Sequence, residues 1–276
     1  MEAKVILITG STDGIGRACA LESARRGHTV LVHGRNEERI ARVQREIAEA
    51  TGVEPRGFRA DLASLQEVHA LADRLKDELP RLDVLINNAG VISRSRRISH
   101  DGYELTFAVN HLAPFLLTRA LLPLLHRGTA PRVVTVSSMV HRGARIDFDD
   151  LMMESGYDGF RAYEQSKLAN VLFTTELARR EAGRITAVCC HPGVINTKVL
   201  HEYFAGGAAT SEGARNVLAP ALDPAYAHLT GAYFSGGKPE EPDPTGTDPE
   251  TARRLWEVSS ELCRPAGEPA ETDLDR

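Results

Sequence analysis

The regular alternation of short β-branched runs with longer amphipathic ones constrains this chain more than any other feature of its sequence. Strands are read over residues 5–9, 29–33, 55–59, 84–87, 132–136, 185–191 and 231–234, and helices near 15–26, 37–51, 64–79, 103–125 and 163–182. The alternation is unbroken from Val5 to about Val194, so successive segments form right-handed βαβ units. The predicted fold is α/β: one domain over residues 1–263, doubly wound, with a parallel sheet and helices on both faces. Residues 264–276, rich in Pro, Glu and Asp, read as a disordered tail. Ligands of such sheets bind beyond the carboxyl ends of the strands, so the strand ends are where chemistry is to be sought.

Composition narrows the partners. The 276 residues include 38 acidic against 33 basic side chains, a net charge of −5, and the basic residues are dispersed. Nucleic acid, which wants a clustered basic face, is not expected as a partner. The densest basic spot, Arg94, Arg96 and Arg97, reads as a solvated loop. Cys19, Cys189, Cys190 and Cys263 show neither a disulfide framework nor metal-ligand spacing, which points to a reducing compartment. A strand begins at Val5, where a signal peptide would have its apolar core. The apolar stretch 112–125 is broken by Arg119 and two prolines, and reads as too short for a bilayer. A cytoplasmic protein without a membrane anchor is expected.

The cofactor signals come first along the chain. Thr9-Gly10-Ser11-Thr12-Asp13-Gly14-Ile15-Gly16 joins the first strand to the first helix. Glycines there permit a tight turn and let backbone N–H groups approach a diphosphate at the helix N-terminus. The second strand ends in Gly34-Arg35-Asn36. An acid at that end would bind a ribose 2′-hydroxyl, whereas a basic residue accepts a 2′-phosphate. Gly34 stands in the acid's place and Arg35 offers a bidentate fork, which favours NADP(H); NAD(H) stays the alternative, and Arg35 could also be a surface residue. Asp61-Leu62, after the third strand, either bracket an adenine edge or cap a helix. Asn88-Ala89-Gly90, after the fourth, suit close backbone approach to a flat cofactor or form a structural turn.

The reacting end follows. Tyr163 and Lys167 lie four apart on a helix, so both side chains point the same way. A neighbouring ammonium would favour phenolate and lower the tyrosine pKa, which suits a proton donor and acceptor. Ser137-Ser138 end a strand at the same edge, where a hydroxyl could bond a carbonyl oxygen. Asn110 is an amide inside an apolar helix, either satisfied in the interior or part of a proton relay.

Taken in this order, the glycine turn, Asn88-Ala89-Gly90, Asn110, Ser138 and the Tyr163/Lys167 pair resemble the short-chain dehydrogenase/reductase family over nearly the whole chain. The resemblance implies a Rossmann-type fold and a catalytic tetrad of Asn110, Ser138, Tyr163 and Lys167. It implies that Tyr163 exchanges a proton with the substrate oxygen and that Lys167 lowers its pKa and holds the nicotinamide ribose. Ser138 would orient the oxygen and Asn110 would fix a water. Pro192-Gly193-Val194 and Thr197 resemble the family's turn over the nicotinamide. Ser138 and Tyr163 are 24 intervening residues apart, more than in most members, and the insert with Ile146-Asp147-Phe148-Asp149-Asp150-Leu151 resembles the retinol-dehydrogenase-like branch. So do Ser166-Lys167-Leu168-Ala169-Asn170 and Gly231-Ala232-Tyr233-Phe234.

The expected function is hydride transfer between NADP(H) and an aldehyde or ketone and its alcohol. The alternatives are an NAD-dependent alcohol dehydrogenase or a dinucleotide-binding regulator without turnover. The partner is a small-molecule carbonyl or alcohol, and a homo-oligomer is left open. Residues 139–161 and 198–211, the latter carrying Tyr203, Phe204, Gly206 and Gly207, are expected to cover an apolar substrate as a loop and a flap.

Overall fold

The computed structural model describes residues 2–265, and the tail expected over 264–276 falls, from residue 266 onward, outside them. In chain order the elements are β1 (Val5–Ile8), α1 (Gly14–Arg25), β2 (Thr29–Gly34), α2 (Glu37–Thr51), β3 (Arg56–Arg59), α3 (Leu65–Glu78) and β4 (Val84–Asn87). A helix then starts as α4 (Leu105–Phe107), passes through a π-helical turn (Ala108–Leu112) and continues as α5 (Ala113–Leu125). There follow β5 (Arg132–Val136), α6 (Gly159–Arg180), β6 (Thr186–His191), α7 (Lys198–His201), α8 (Thr210–Leu222), β7 (Tyr233–Ser235), β8 (Lys238–Glu240) and α9 (Pro249–Leu262).

The strands form one sheet in the order β3-β2-β1-β4-β5-β6-β7-β8. Every pairing from β3 to β7 is parallel, and β8 adds to β7 antiparallel. The order reverses between β1 and β4, whose chain-successive neighbours lie on opposite sides. That reversal opens a crevice at the carboxyl edge.

Strand residues alternate between two apolar layers, as a period of two demands. Leu7, Leu31, Leu85 and Val133 pack with α3, α5, α6 and α9 on one face, while Ile6, Ile8, Val30, Val32, Val84, Ile86 and Val134 pack with α1, α2 and α8 on the other. Polar caps fix where helices begin. Asp13, Asn36, Ser64 and Asp158 each accept a backbone N–H in the first turn of α1, α2, α3 and α6.

The structure departs from the sequence reading at identifiable places. The cap at Asp158 starts α6 at Gly159, so Tyr163 sits in its second turn rather than at its start. The antiparallel edge strand β8 and the helices α8 and α9 were not foreseen. Gly213 and Pro220 blur the periodicity of α8, and α9 opens on Asp248-Pro249, a cap followed by a proline at the first helical position. The long polar loop begins as a single 3₁₀ turn, Met139–His141.

The apolar stretch is also longer than expected. The helix Leu105–Leu125 has 21 residues and is apolar enough to cross a membrane, yet 78% of its apolar window is buried inside the protein, where it packs between the sheet and neighbouring helices. Its π turn has a local cause. Pro114 has no N–H to give the Asn110 carbonyl, and the Ala113 N–H reaches back five residues to Ala108.

Leu117 lies fully buried at the centre of this helix. Leu117→Ala leaves a cavity the close-packed layer cannot collapse, and is expected to cost about 2–5 kcal/mol. A urea melt showing a midpoint within error of the parent protein would contradict this packing.

Candidate active site

The carboxyl edge at the β1/β4 reversal carries a cleft of about 1050 Å³. One half is built by the glycine turn and the ends of β2, β3 and β4, and the other by the ends of β5 and β6, α6 and the segment through α7.

The glycine turn is held by side chains beneath it. Thr9 Oγ1 accepts the N–H groups of Asn88 and Ala89 at 3.0 and 3.1 Å, and Asn88 Nδ2 donates to the Thr9 carbonyl at 2.9 Å. Gly10 adopts φ +65°, a left-handed conformation that favours glycine. A Cβ at Gly16 would lie 2.4 Å from the Gly10 carbonyl oxygen and 2.5 Å from Asn88 Nδ2. The turn therefore closes only with glycine there, and α1 presents its N-terminus to the cleft. This is a cradle for a diphosphate. Ser11 does not line it: fully buried, its Oγ accepts the His33 N–H at 2.8 Å and donates to the His33 carbonyl, fastening the turn to β2.

Around the far end of this half, Thr12, Gly34, Arg35, Asp61 and Leu62 line the cleft as read from sequence. A Cβ at Gly34 would meet Thr12 Cγ2 at 2.6 Å, so a larger residue at that strand end would have to displace the Thr12 side chain. Arg35 is exposed at the rim. Asn36 is turned away and caps α2 through the Arg39 N–H at 2.9 Å, so it is a helix cap rather than a cofactor contact. Asp61 caps no helix; Ser64 caps α3, while Asp61 Oδ1 accepts the Ala63 N–H beside the cleft. The sequence reading missed His33, which lines the cleft and accepts the Gly10 N–H on Nδ1 at 3.1 Å. Burial pulls its pKa down to about 4, so it stays neutral. A histidine at a strand end next to Gly34 was the available signal.

At the reacting end, Ser138, Tyr163 and Lys167 come together on the cleft wall. The choice of Ser138 over Ser137 follows from their bonds. Ser137 Oγ donates to the Lys167 carbonyl at 2.7 Å and is buried, tying β5 to α6. Lys167 Nζ lies 5.3 Å from the centre of the Tyr163 ring and donates to the Val136 carbonyl at 3.1 Å. Gly90 lies beside it: a Cβ there would be in van der Waals contact with Nζ, at 3.6 Å. Burial pushes the Tyr163 phenol up to about 12, with the Ser138 hydroxyl pulling the other way, and burial draws the Lys167 ammonium down to about 8. The expected lowering of the tyrosine by the lysine is not among the effects that shift it; desolvation leads.

The side chain of Asn110, the residue expected to fix a water, is bonded within the protein. Its Oδ1 accepts the Val91 N–H at 2.8 Å, and its Nδ2 donates to the Val91 carbonyl at 2.9 Å and to Ser166 Oγ at 3.0 Å. Ser166 Oγ donates in turn to the Tyr163 carbonyl at 2.8 Å. The side chain fastens the strand-end segment to the tyrosine's helix and does not line the cleft.

Pro192, Gly193, Val194 and Thr197 border the cleft after β6. Thr197 caps α7, and its Cγ2 lies 3.4 Å from a Cβ built on Gly14, so this segment reaches across to the glycine turn. Lys198 Nζ meets Asp13 Oδ2 at 2.5 Å over the same gap, and this bond holds the Asp13 carboxyl below its usual range. Beyond them the cleft is apolar, with Ile92, Met139, Val140, Phe160, Leu200 and Phe204 on its walls. Phe160 packs against Tyr203 and Phe204 at 5.6 and 5.9 Å, and the Arg94 guanidinium stacks on Tyr203 at 5.2 Å. All four cysteines are buried free thiols, and among the described residues no cluster of His, Cys, Asp and Glu could hold a metal.

The model of the family described as short chain dehydrogenase matches residues 4–207. Retinol dehydrogenase 14 of Mus musculus is 39% identical over 285 residues, covering 94% of this chain and 85% of that protein. A Streptomyces sp. (strain C5) protein named as a daunorubicin C-13 ketoreductase is 39% identical, covering 94% of this chain and 92% of its own. Among solved structures, a short chain dehydrogenase of Escherichia coli CFT073 complexed with NADPH superposes with a TM-score of 0.72 at 30% identity, over 86% of this chain and 97% of that one.

The cradle makes a direct prediction. Gly16→Ala drives a methyl into the Gly10 carbonyl and Asn88, so dinucleotide affinity should fall at least about tenfold, equivalent to about 1.4 kcal/mol. Calorimetric titration with NADPH checks this, and unchanged affinity would remove the glycine turn from the cofactor site.

Proposed function

The chain belongs to the short-chain dehydrogenase family, whose members are oxidoreductases that bind NAD(P), and from that premise we propose that it is an NADP(H)-dependent reductase of apolar aldehydes and ketones. The observation that carries this reading is the shape of the cleft, which joins a glycine cradle to Ser138, Tyr163 and Lys167 and continues into an apolar mouth. NADPH, when bound, supplies the hydride.

The residues of the chain do the rest. Tyr163 donates its phenolic proton to the substrate oxygen as the carbonyl becomes an alcohol. The phenol carries its proton at neutral pH, as donation to a carbonyl oxygen requires. The Ser138 hydroxyl donates a hydrogen bond to the same oxygen as charge develops on it. The charged form of Lys167 offsets the phenolate left behind and returns a proton to it. Met139, Phe160 and Phe204 shield this exchange from water and select substrates with apolar bodies, as does the segment 198–211. Two relatives, by their names, act on a retinoid and on an anthracycline ketone, which supports an apolar substrate.

The preference for NADP(H) rests on Gly34 and Arg35. Thr12 packs over Gly34, which stands where the acid for a 2′-hydroxyl would be, and Arg35 borders the cleft beside it. The structural neighbour complexed with NADPH agrees with this. Arg35→Ala should therefore weaken NADPH binding by about 10–100-fold while leaving NADH nearly unchanged, the loss of a charge-assisted pair being about 1.5–3 kcal/mol. Equal losses for the two cofactors would refute a 2′-phosphate contact.

The experiment that tests the activity is cofactor oxidation followed with NADPH and NADH against a panel of apolar and polar aldehydes and ketones. On a confirmed substrate, kcat/KM should be level through neutral pH and fall about tenfold per pH unit above about 8, because Lys167 loses its charge there while the phenol, near 12, keeps its proton. Tyr163→Phe should nearly abolish turnover at every pH with NADPH affinity retained. Near-normal kcat in that variant would remove Tyr163 from the reaction.

A further inference from the structure

One α-helical turn beyond the reactive lysine, a second buried polar side chain reaches for the same acceptor. Lys167 and Asn170 are 3% and 2% exposed, and Lys167 Nζ and Asn170 Nδ2 donate to one oxygen, the Val136 carbonyl, at 3.1 and 3.3 Å. Only the nitrogen of the amide can face a carbonyl, so the orientation of Asn170 is fixed by chemistry. Its backbone is pinned as well, by Thr174 Oγ1 donating to the Asn170 carbonyl at 2.8 Å. The Asn170 side chain also interacts with His111, which favours the imidazole's charged form against its burial, and His111 Nε2 is bonded to Ser259 of α9 at 2.8 Å.

We propose that Asn170 is a positioning residue for Lys167: by sharing the Val136 carbonyl with the ammonium, it weakens that bond and eases the turn of Nζ toward Tyr163 and the cleft. The inference rests on the reductase reading for its consequence in turnover. A carbonyl oxygen that already accepts one N–H is a weaker acceptor for a second, and the amide's own N–H dipole points its positive end at the ammonium. Both effects weaken the bond that Lys167 makes to the strand. The titratable groups facing Lys167 are Tyr163 on its own helix and Cys189, Cys190 and His191 from β6. From β5, Val136, Ser137 and Ser138 contribute no titratable group, and neither does Gly90 after β4. No carboxylate is among the groups that act on the lysine's charge. The burial that draws Lys167 down to about 8 thus meets no carboxylate that would offset it.

The test is a direct titration of Lys167 by NMR of protein carrying ¹³C at lysine Cε, with the resonance assigned by its loss in Lys167→Arg. Asn170→Leu removes the amide while keeping its bulk, and should raise the Lys167 midpoint by about half a pH unit. Asn170→Asp places an acceptor where the donor stood, and should raise it by about one unit or more. In turnover, kcat should fall about tenfold in both variants while KM for NADPH stays within about twofold, and the alkaline limb of the pH profile should move upward with the NMR midpoint. A midpoint that stays put or falls in both variants overturns the inference, whatever happens to kcat. Absence of carbonyl reduction by the parent protein would sink the reductase reading instead, and the NMR titration would still decide what Asn170 does.

Discussion

The structure depends on how closely the chain crosses itself between β1 and β4. Thr9 binds the backbone of Asn88 and Ala89, and Asn88 binds Thr9 back, so the two strand ends are stitched where the sheet reverses its order. Gly16 then lets α1 settle onto that stitch with backbone in place of side chains. Without this contact the N-terminus of α1 would not face the cleft, and the diphosphate cradle would have no floor. The same stitch sets Gly90 two residues on, beside the Lys167 ammonium. One close approach therefore positions both halves of the site.

The reacting groups are carried by rigid parts of the fold and held from behind. Ser138 follows β5, and Tyr163 and Lys167 lie on α6, which Ser137 fastens to β5 through the Lys167 carbonyl. Asn110 and Ser166 make a second tie, from Val91 to the Tyr163 carbonyl. These bonds are short, buried and almost all to backbone, so they fix geometry without placing further charge near the reacting atoms. The cost of burial falls on the two ionisable groups that remain. It moves the phenol up and the ammonium down, and both become proton carriers with opposite tendencies.

The sheet, its order of elements and the line of cleft residues were legible in the sequence because each rests on a local rule. Strands alternate with a period of two, Gly10 needs a left-handed turn, and Tyr163 and Lys167 share a helix face. What was not legible depended on partners distant in the chain. Asn110 looked like a relay because nothing local shows that its amide pairs with Val91, 19 residues earlier, and with Ser166, 56 residues later. Ser11 and Asn36 sit within cofactor motifs, yet His33 and Arg39 claim their side chains. The helix α8 was hidden by its own Gly213 and Pro220, residues that tertiary packing tolerates and a propensity reading does not.

The two halves of the cleft are built on different principles, and this separates what the fold fixes from what it leaves variable. The cofactor half is made of backbone at strand ends, where a substitution at Gly16 or Gly34 collides with neighbouring atoms. The substrate half is made of side chains from two long connections, the insert after Ser138 and the segment around α7. The insert is anchored at a distance from the chemistry: the Tyr157 hydroxyl donates within reach of the Ser93 carbonyl and the buried Glu104 carboxylate, which itself caps the start of α4. Arg94 holds the α7 segment through the Glu202 carbonyl and the Tyr203 ring. Both anchors join at the Ser93–Arg94 stretch, so the aromatic wall of Phe160, Tyr203 and Phe204 is fixed relative to the catalytic helix without touching the cofactor cradle. Under the proposed reductase reading, changes in that wall would alter which substrate is accepted while Ser138, Tyr163 and Lys167 keep their places.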